Sequence, residues 1–178
     1  MFNANKADQV DLDFCSGTVI ENRFIDISII DDSDIIDVPV DDNGDGLDFS
    51  GSKIIVTKNK FDGFLDKGVS IGENTQALLY MNTFTGNRSA ITAKDHSKVY
   101  IMSNMYQKNS INIEMYQKKK IFEHPSVYNI NEIHDNIRIK KTQNSHYYKL
   151  NSEIKDNDVV LDVDVFNELD NKDWKEYE

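Results

Sequence analysis

The fold is decided by a stretch that reads Val69-Ser70-Ile71-Gly72-Glu73-Asn74 and then Leu78-Leu79-Tyr80-Met81-Asn82-Thr83-Phe84. An apolar-polar-apolar triplet opens it, a turn follows, and an alternating run ends in an Asn-x-aromatic pair. The same order recurs as Ile91-Thr92-Ala93-Lys94-Asp95-His96 and Val99-Tyr100-Ile101-Met102-Ser103-Asn104-Met105-Tyr106. A repeat of this kind, with a period of about 22 residues, has to be identified first, because it determines the whole architecture.

Three further copies flank this pair. Leu47-Asp48-Phe49-Ser50-Gly51-Ser52 begins one period before Val69, and Ile113-Glu114-Met115 begins one period after Ile91. The first copy, Leu12-Asp13-Phe14-Cys15-Ser16-Gly17, leads to the pair Asn22 and Phe24. Asn22 precedes Asn59 by clearly more than one period. This excess predicts an inserted acidic loop at about residues 29–45.

The spacing and the alternation together predict the fold class. Two-residue alternation of apolar and polar side chains is typical of β-strands, and strands this short cannot bury a core alone. Stacked coils can, since equivalent positions of successive coils lie about 4.8 Å apart. The period is too short for helical-pair repeats of roughly 34 residues, and the leucine-rich frame is absent. We therefore predict an all-β fold, a single-stranded parallel β-helix that closes with a C-terminal cap or tail.

Two columns of matching residues are expected to join the coils. Asparagine amides at one position per coil would hydrogen-bond from coil to coil, and aromatic rings two residues later would stack beside them. The asparagines are Asn22, Asn59, Asn82 and Asn104, and the rings are Phe24, Phe61, Phe84 and Tyr106. A structural ladder is the main interpretation of these residues, and an exposed aromatic stack for sugar binding is the alternative.

The formal net charge of −11 is unevenly distributed along the chain. Residues 1–66 carry 15 acids and 5 bases, residues 67–149 carry 6 acids and 12 bases, and residues 150–178 carry 10 acids and 3 bases. An acidic protein repels phosphate, which argues against nucleic acid as a partner. The positive middle part predicts either a solvated face or a basic patch for an anionic partner, such as an acidic polysaccharide or a neighbouring acidic domain. The patch residues are Lys118, Lys119, Lys120, Arg138, Lys140 and Lys141.

Calcium is the candidate cofactor. Asp13 and Asp48 are the middle residues of triplets that we align, so we expect them to project outward from neighbouring coils, where two carboxylates repel unless a cation lies between them.

The run Asp41-Asp42-Asn43-Gly44-Asp45-Gly46 matches the start of a calcium loop. An EF-hand is excluded, because its last loop position is Ser52 instead of a bidentate Glu. The candidate ligands are Asp13, Asp41, Asn43, Asp45 and Asp48. The alternatives are a soluble acidic face and a turn that makes its own backbone hydrogen bonds.

Other chemistry has little support. Cys15 is the single cysteine, so an intrachain disulfide is excluded, and the four histidines show no short metal-binding spacing. Phosphate-binding and dinucleotide loops and the nucleophile elbow of hydrolases are absent. No apolar run reaches the length of a membrane span, and the N-terminal residues do not form a signal peptide.

The phrases Asp45-Gly46-Leu47-Asp48-Phe49-Ser50-Gly51-Ser52, Asp66-Lys67-Gly68-Val69-Ser70-Ile71-Gly72-Glu73 and Ala93-Lys94-Asp95-His96-Ser97-Lys98-Val99 resemble bacterial right-handed parallel β-helix proteins of the pectate-lyase-like superfold. One subgroup, often linked to spore-coat-type kinase-like domains, typically closes with a phrase like Tyr116-Gln117-Lys118-Lys119. The resemblance covers about residues 8–122 and implies a right-handed coil and an extracellular or cell-surface setting. It also implies upstream coils and a partner domain, so we expect this chain to be a C-terminal fragment, a single-domain relative or a degraded gene product.

We divide the chain into a β-helix domain, residues 1–150, and an acidic cap or tail, residues 151–178. The sequence contains no complete catalytic constellation. We therefore expect a non-enzymatic module that binds a glycan or a protein partner or serves as a rigid platform. The alternative is a calcium-dependent enzyme, similar to polysaccharide lyases, that acts on acidic glycans.

Overall fold

The structure, a computed structural model, describes residues 2–3, 7–26, 44–130 and 137–150. These residues form 17 β-strands in three sheets, in which every pair of neighbouring strands is parallel, and none of them lies in a helix. In these ranges there is accordingly no helix with the length and apolar character of a membrane span. The predicted all-β fold with parallel strands is confirmed, and the arrangement is consistent with a parallel β-solenoid.

Successive strands pass from one sheet to the next. Sheet A contains β1 (Phe2–Asn3), β4 (Arg23–Ile25), β7 (Lys60–Asp62), β10 (Thr83–Thr85) and β13 (Met105–Gln107). Sheet B contains β2 (Val10–Asp13), β5 (Leu47–Ser50), β8 (Lys67–Gly72), β11 (Ser89–Lys94), β14 (Ile111–Tyr116) and β16 (Ile139–Lys141). Sheet C contains β3 (Ser16–Ile20), β6 (Lys53–Thr57), β9 (Gln76–Tyr80), β12 (Lys98–Met102), β15 (Ser126–Ile130) and β17 (His146–Leu150).

The register follows the sequence repeat. In sheet B, Leu47 pairs with Val69, Val69 with Ile91, and Ile91 with Ile113. In sheet A, Phe24 pairs with Phe61 although more than one period separates them, so the extra residues lie between β4 and β5. Residues 27–43, which include most of the predicted inserted loop, and residues 151–178, the predicted cap or tail, lie outside the described residues.

The core is a narrow interior between the three sheets. Each sheet contributes alternate side chains, such as Leu47 and Phe49 from sheet B, Val56 from sheet C and Phe61 from sheet A, all of which belong to one buried apolar cluster. Equivalent residues from successive strands continue each column, so the strands in the middle of each sheet bury apolar side chains against the strands beside and opposite them. A chain with 39% hydrophobic residues can therefore build a continuous core.

The four asparagines of the repeat hydrogen-bond in series where sheet C turns into sheet A. The backbone N–H groups of Asn22, Asn59 and Asn82 donate to the side-chain oxygen of the next asparagine along the ladder, at 2.8, 3.0 and 3.0 Å, and Asn104 is the last acceptor. The residue before each of them has a left-handed backbone, with φ between 53° and 56°. This conformation costs a non-glycine residue about 1 kcal/mol, and the ladder holds it in place.

The aromatic column lies next to this ladder inside the sheet. Ring centroids are 4.9 Å apart for Phe24 and Phe61, 4.9 Å for Phe61 and Phe84, and 5.7 Å for Phe84 and Tyr106. Phe24, Phe61 and Phe84 are buried, so their faces are not available to a ligand. The geometry accordingly fits the structural interpretation of the column better than the sugar-binding one.

A second, shorter asparagine ladder follows where sheet A turns into sheet B. The backbone N–H of Phe64 donates to Asn87 at 3.0 Å, and that of Asn87 donates to Asn109 at 2.9 Å. Asn87 and Asn109 are one period apart, so the repeat could have revealed this pair, but the coil before them has Phe64 at the same position. The two ladders fix the chain at the turns from sheet C to sheet A and from sheet A to sheet B.

Candidate functional site

The outer face of sheet B carries polar side chains in register. Asp48 pairs with Ser70, Ser70 with Thr92, Thr92 with Glu114, and Glu114 with Lys140. Side chains alternate between the two faces of a strand, so this column points away from the core that receives Leu47 and Phe49. We call this column, together with the charged residues that contact it, the polar face of sheet B.

A chain of ion pairs crosses this polar face. Lys67 contacts Asp66 and lies 3.2 Å from Asp45 through its ammonium nitrogen. A terminal guanidinium nitrogen of Arg88 lies 2.6 Å from the Asp66 carboxylate and 3.4 Å from that of Glu114. At the far end, Lys140 lies 2.8 Å from Glu114. In sequence order the chain consists of Asp45, Asp66, Lys67, Arg88, Glu114 and Lys140.

The pKa values follow from how these charges are shared. Burial raises the pKa of Asp45 from 3.8 to about 7, although the nearby charge of Lys67 opposes the shift. Burial would also raise the pKa of Asp66, but hydrogen bonds from Lys67 and Arg88 lower it below its usual value. For Lys67, burial would lower the pKa, but the charges of Asp45 and Asp66 outweigh this and raise it. Lys67 therefore serves mainly as the counter-ion of Asp66, and Asp45 is the acid that takes up a proton near neutral pH.

The alignment of Asp13 with Asp48 was wrong by two residues. The strand register pairs Asp11 with Asp48 and Asp13 with Ser50, since Val10-Asp11-Leu12 is the true counterpart of Leu47-Asp48-Phe49. Burial, followed by the charges of Asp13 and Asp48, raises the pKa of Asp11, so these carboxylates do repel one another. The ammonium of Lys94 lies 3.7 Å from Asp48 and is the cation at this end of the polar face.

The other calcium candidates are distributed between two parts of the chain. Asp41 and Asn43 lie outside the described residues, whereas Asp45 is 3% exposed and is paired with Lys67. The backbone N–H of Asp45 donates to the Asp8 carboxylate at 2.7 Å, which fixes the chain at this point. Within the described ranges, no group of three or more His, Cys, Asp or Glu side chains is arranged to hold a metal ion.

The first half of the predicted basic patch follows β14. Lys119 pairs with Glu73 through its ammonium group, and the backbone N–H groups of Lys118 and Lys119 donate to the Asp95 carboxylate at 2.6 and 2.7 Å. Lys120 is exposed beside them. The buried Asp95 therefore fixes this turn, and one of the three lysines is neutralised by an acid from an earlier coil.

The second half of the patch leads into β16. Lys140 belongs to the ion-pair chain, Arg138 donates to the backbone oxygen of Asn109 at 3.4 Å, and Lys141 donates to that of Ser145 at 3.1 Å. Lys140 and Lys141 are exposed, and Arg138 is exposed too. That the two halves together bind an anionic partner stays a prediction.

No protein-family model, curated protein or solved structure matches the chain. The likeness to the pectate-lyase-like superfold thus depends on the sequence phrases alone. The architecture itself supports the description of an all-β chain with three parallel sheets.

Proposed function

We propose that this chain is a right-handed parallel β-helix module without catalytic activity, which presents the polar face of sheet B to a binding partner at a cell surface. The observation that carries this proposal is the pairing of its acids with bases. Asp66 and Glu114 each contact two basic side chains. A lyase needs an unneutralised base and acids that are free to bind a cation, and these carboxylates are committed to ion pairs instead.

Rigidity is the second argument for a binding module. Both asparagine ladders and the stacked phenylalanines join successive coils through buried contacts, so the outer columns are held at a fixed spacing. A surface that is ordered before binding loses little conformational entropy when the partner docks. Such a sheet therefore offers a rigid platform to an extended partner.

The chemistry of the face favours a partner rich in hydroxyl groups, which makes a glycan the first choice and another protein domain the second. Ser70 and Thr92 are buried, so a partner reaches the exposed Asp11 and Lys140 side chains and the partly exposed Asp48 and Arg88 side chains of this face. Carboxylates accept hydrogen bonds, and guanidinium and ammonium groups donate them. A hydroxyl group can both donate and accept, so it can pair with either kind of side chain.

The experiment is a binding screen of the whole chain against neutral and uronate glycans, repeated with a charge reversal on the polar face. Asp11→Arg changes an exposed residue next to Asp48, and Glu21→Arg is the matched control because it makes the same charge change at a corner away from sheet B. We expect Asp11→Arg to weaken binding of a neutral glycan, because the carboxylate that accepts from its hydroxyl groups is lost, and Glu21→Arg to leave binding unchanged. The reverse pattern would exclude this face as the binding surface, and unsaturated products from a uronate polymer would refute the non-catalytic proposal.

One observation favours the calcium-dependent, lyase-like alternative. The raised pKa of Asp11 reflects repulsion from Asp13 and Asp48 in addition to burial, and a divalent cation between such carboxylates would relieve that repulsion. The test is thermal unfolding with calcium and with chelator. A calcium-dependent rise in the midpoint that is lost in Asp11→Asn would support this alternative, and equal midpoints would count against it.

A further inference from the structure

The outermost strands of sheets B and C each have a strand neighbour on one side only among the described residues. β2 and β3 pair with β5 and β6, and β16 and β17 pair with β14 and β15. The outer edge of such a strand is a template on which a further strand can pair through its backbone N–H and C=O groups. We call β2 and β3 the first end of the stack, and β16 and β17 its last end.

The apolar interior is less well covered at both ends than in the middle of the stack. Leu12 and Val19 at the first end and Tyr147 at the last end pack against the core but are only partly buried, and Ile139 at the last end is 38% exposed. Ile71, which continues the column of Leu12 in the middle of sheet B, is 0% exposed. A further layer of strands at either end would bury this apolar surface, and such burial is favourable.

The two ends of the stack carry opposite charge. Residues 7–26, which include β2 and β3, contain 5 acids and 1 base. Residues 137–150, which include β16 and β17, contain 4 bases and no acid. Contact between two first ends or between two last ends would place like charges together, whereas a first end attracts a last end. The partner that fits each end is therefore the opposite end of another copy of this chain.

The register of sheet B shows which charged residues would meet in such a contact. The polar column that passes through Asp48 and Glu114 starts with Asp11 on β2 and finishes with Lys140 on β16. If β2 of another copy continues the sheet beyond β16 in the same register, its Asp11 lies beside Lys140, one strand spacing of about 4.8 Å away. Both residues are exposed, so an acid and a base are available to pair across the junction.

The register of sheet C gives a second match. One inward column of this sheet starts with Gly17 on β3 and finishes with Tyr147 on β17. Continuing the sheet in the same register places Gly17 of the next copy beside Tyr147. A Cβ built on Gly17 would have no other atom within 4 Å, so the large ring meets open space there and not a second side chain.

We propose that copies of this chain associate head to tail, so that β16 and β17 of one copy pair in parallel with β2 and β3 of the next. The junction repeats the step between neighbouring strands inside each sheet, so every added copy presents a new last end and the assembly has no closed limit. The association uses strand edges and does not depend on the proposed glycan binding. It also continues the polar face of sheet B from one copy to the next.

The first test is sedimentation velocity of the whole chain over a wide range of concentrations. We expect the mean mass to increase with concentration and to pass that of a dimer without a plateau. Added salt should reduce the mean mass, because it screens the attraction between the acidic and the basic end.

Charge reversals at the junction provide the second test. Lys140→Glu places an acid beside Asp11 of the next copy, and Asp11→Lys places a base beside Lys140, so each variant alone should associate several-fold more weakly. Lys60→Glu makes the same charge change at an exposed position in the middle of sheet A and should associate like the wild type. An equimolar mixture of Lys140→Glu and Asp11→Lys should regain the association, because every junction between the two variants pairs an acid with a base. Far-ultraviolet circular dichroism shows whether each variant keeps its sheets.

Three outcomes would overturn the proposal. A wild type that is monomeric at every concentration means that the ends are protected, either by the lysines of the last end or by another part of the chain. A mean mass that stops at a dimer means that like surfaces form a closed contact instead. A mixture that associates no better than the two single variants means that Asp11 and Lys140 do not meet.

Discussion

Replacing Asn82 with alanine tests how the stacked strands are held together. The side-chain oxygen of Asn82 accepts hydrogen bonds from the backbone N–H of Asn59 at 3.0 Å and from its amide at 3.2 Å. The Asn82 amide donates to the backbone oxygen of Val56 at 2.8 Å and to the side-chain oxygen of Asn104 at 3.0 Å. Asn82 is 1% exposed, so water does not replace these partners without a local rearrangement.

The magnitude follows from the groups that the substitution leaves behind. The Asn59 N–H loses its acceptor, the Val56 carbonyl loses a donor, and a buried polar group without its partner costs about 1–3 kcal/mol. The Asn59 amide keeps its bond to the Thr57 carbonyl, so it adds little. We expect Asn82→Ala to lower the free energy of unfolding by about 3 kcal/mol, which corresponds to a fall of about 6–12 °C in the melting temperature.

The assay is urea unfolding followed by circular dichroism, with Asn22→Ala as the matched control. Asn22 lies at the end of the ladder, is only partly buried, and donates its amide to the Ile20 carbonyl at 2.8 Å and to Asn59 at 3.3 Å. Its loss should cost about 1 kcal/mol, since water can reach the groups it leaves. If Asn82→Ala costs no more than Asn22→Ala, then the interior of the ladder does not stabilise the stack and the reasoning is refuted.

Three further changes test the core, the close approach of coils and the buried charge. Phe61→Ala removes a ring stacked at 4.9 Å on both sides and should cost about 3–5 kcal/mol in the same urea assay; a cost below that of Asn22→Ala would contradict a packed column. Gly46→Ala places a methyl group 2.5 Å from a backbone oxygen and should lower the melting temperature, whereas Gly17→Ala, with nothing within 4 Å, should not; equal midpoints would contradict the close approach. Asp45 has a pKa of about 7 in the folded protein and 3.8 in the unfolded chain, so its protonated carboxyl group stabilises the fold. This contribution to the free energy of unfolding is complete below about pH 4, and up to about 4 kcal/mol of it is lost as the pH rises through 7. Unfolding between pH 4 and 8 should show this loss in the wild type relative to Asp45→Asn, and parallel curves would contradict it.

The stacking of strands was predictable from the sequence because residues one period apart lie side by side on neighbouring parallel strands. Leu47, Val69, Ile91 and Ile113 are neighbours in space for the same reason that they recur once in every period. Most folds bring together residues whose separations vary, and a single sequence does not reveal them. Here the column positions, and the strands that carry them, follow from one alignment of the repeats.

The first unit shows where this reasoning fails. Two alignments fit the letters, because both Val10-Asp11-Leu12 and Leu12-Asp13-Phe14 match Leu47-Asp48-Phe49. Asn22 precedes Asn59 by the same number of residues as Phe24 precedes Phe61. All strands of one repeat unit keep the same separation from the next unit, and this separation places Val10, not Leu12, opposite Leu47. It therefore selects the first alignment. In the structure Phe14 is 80% exposed with a φ of 49°, as expected of a turn residue and not of a core residue.

The ion-pair chain was not predictable, although it also depends on the repeat. Lys67 pairs with Asp45 from the previous coil, and Arg88 pairs with Asp66 one coil before it and with Glu114 one coil after it. Many acids and bases of the chain have such separations, so spacing alone does not select partners. The turn chemistry around Asp45 suggested a calcium ligand, and only the burial of its carboxylate beside Lys67 assigns it to the polar face.

The two kinds of column in this fold carry different information. Inward columns repeat one residue class, as in Leu47, Val69 and Ile91, because the narrow core accepts only apolar side chains. Outward columns are free of that restriction, and they differ between sheets: Ser70 and Glu114 on sheet B are polar, whereas Leu78 on sheet C is apolar. The core places no restriction on these outward positions, so they can differ between sheets without loss of the stacked interior. The outward positions are therefore where binding should be sought, and the Asp11→Arg variant tests this on sheet B.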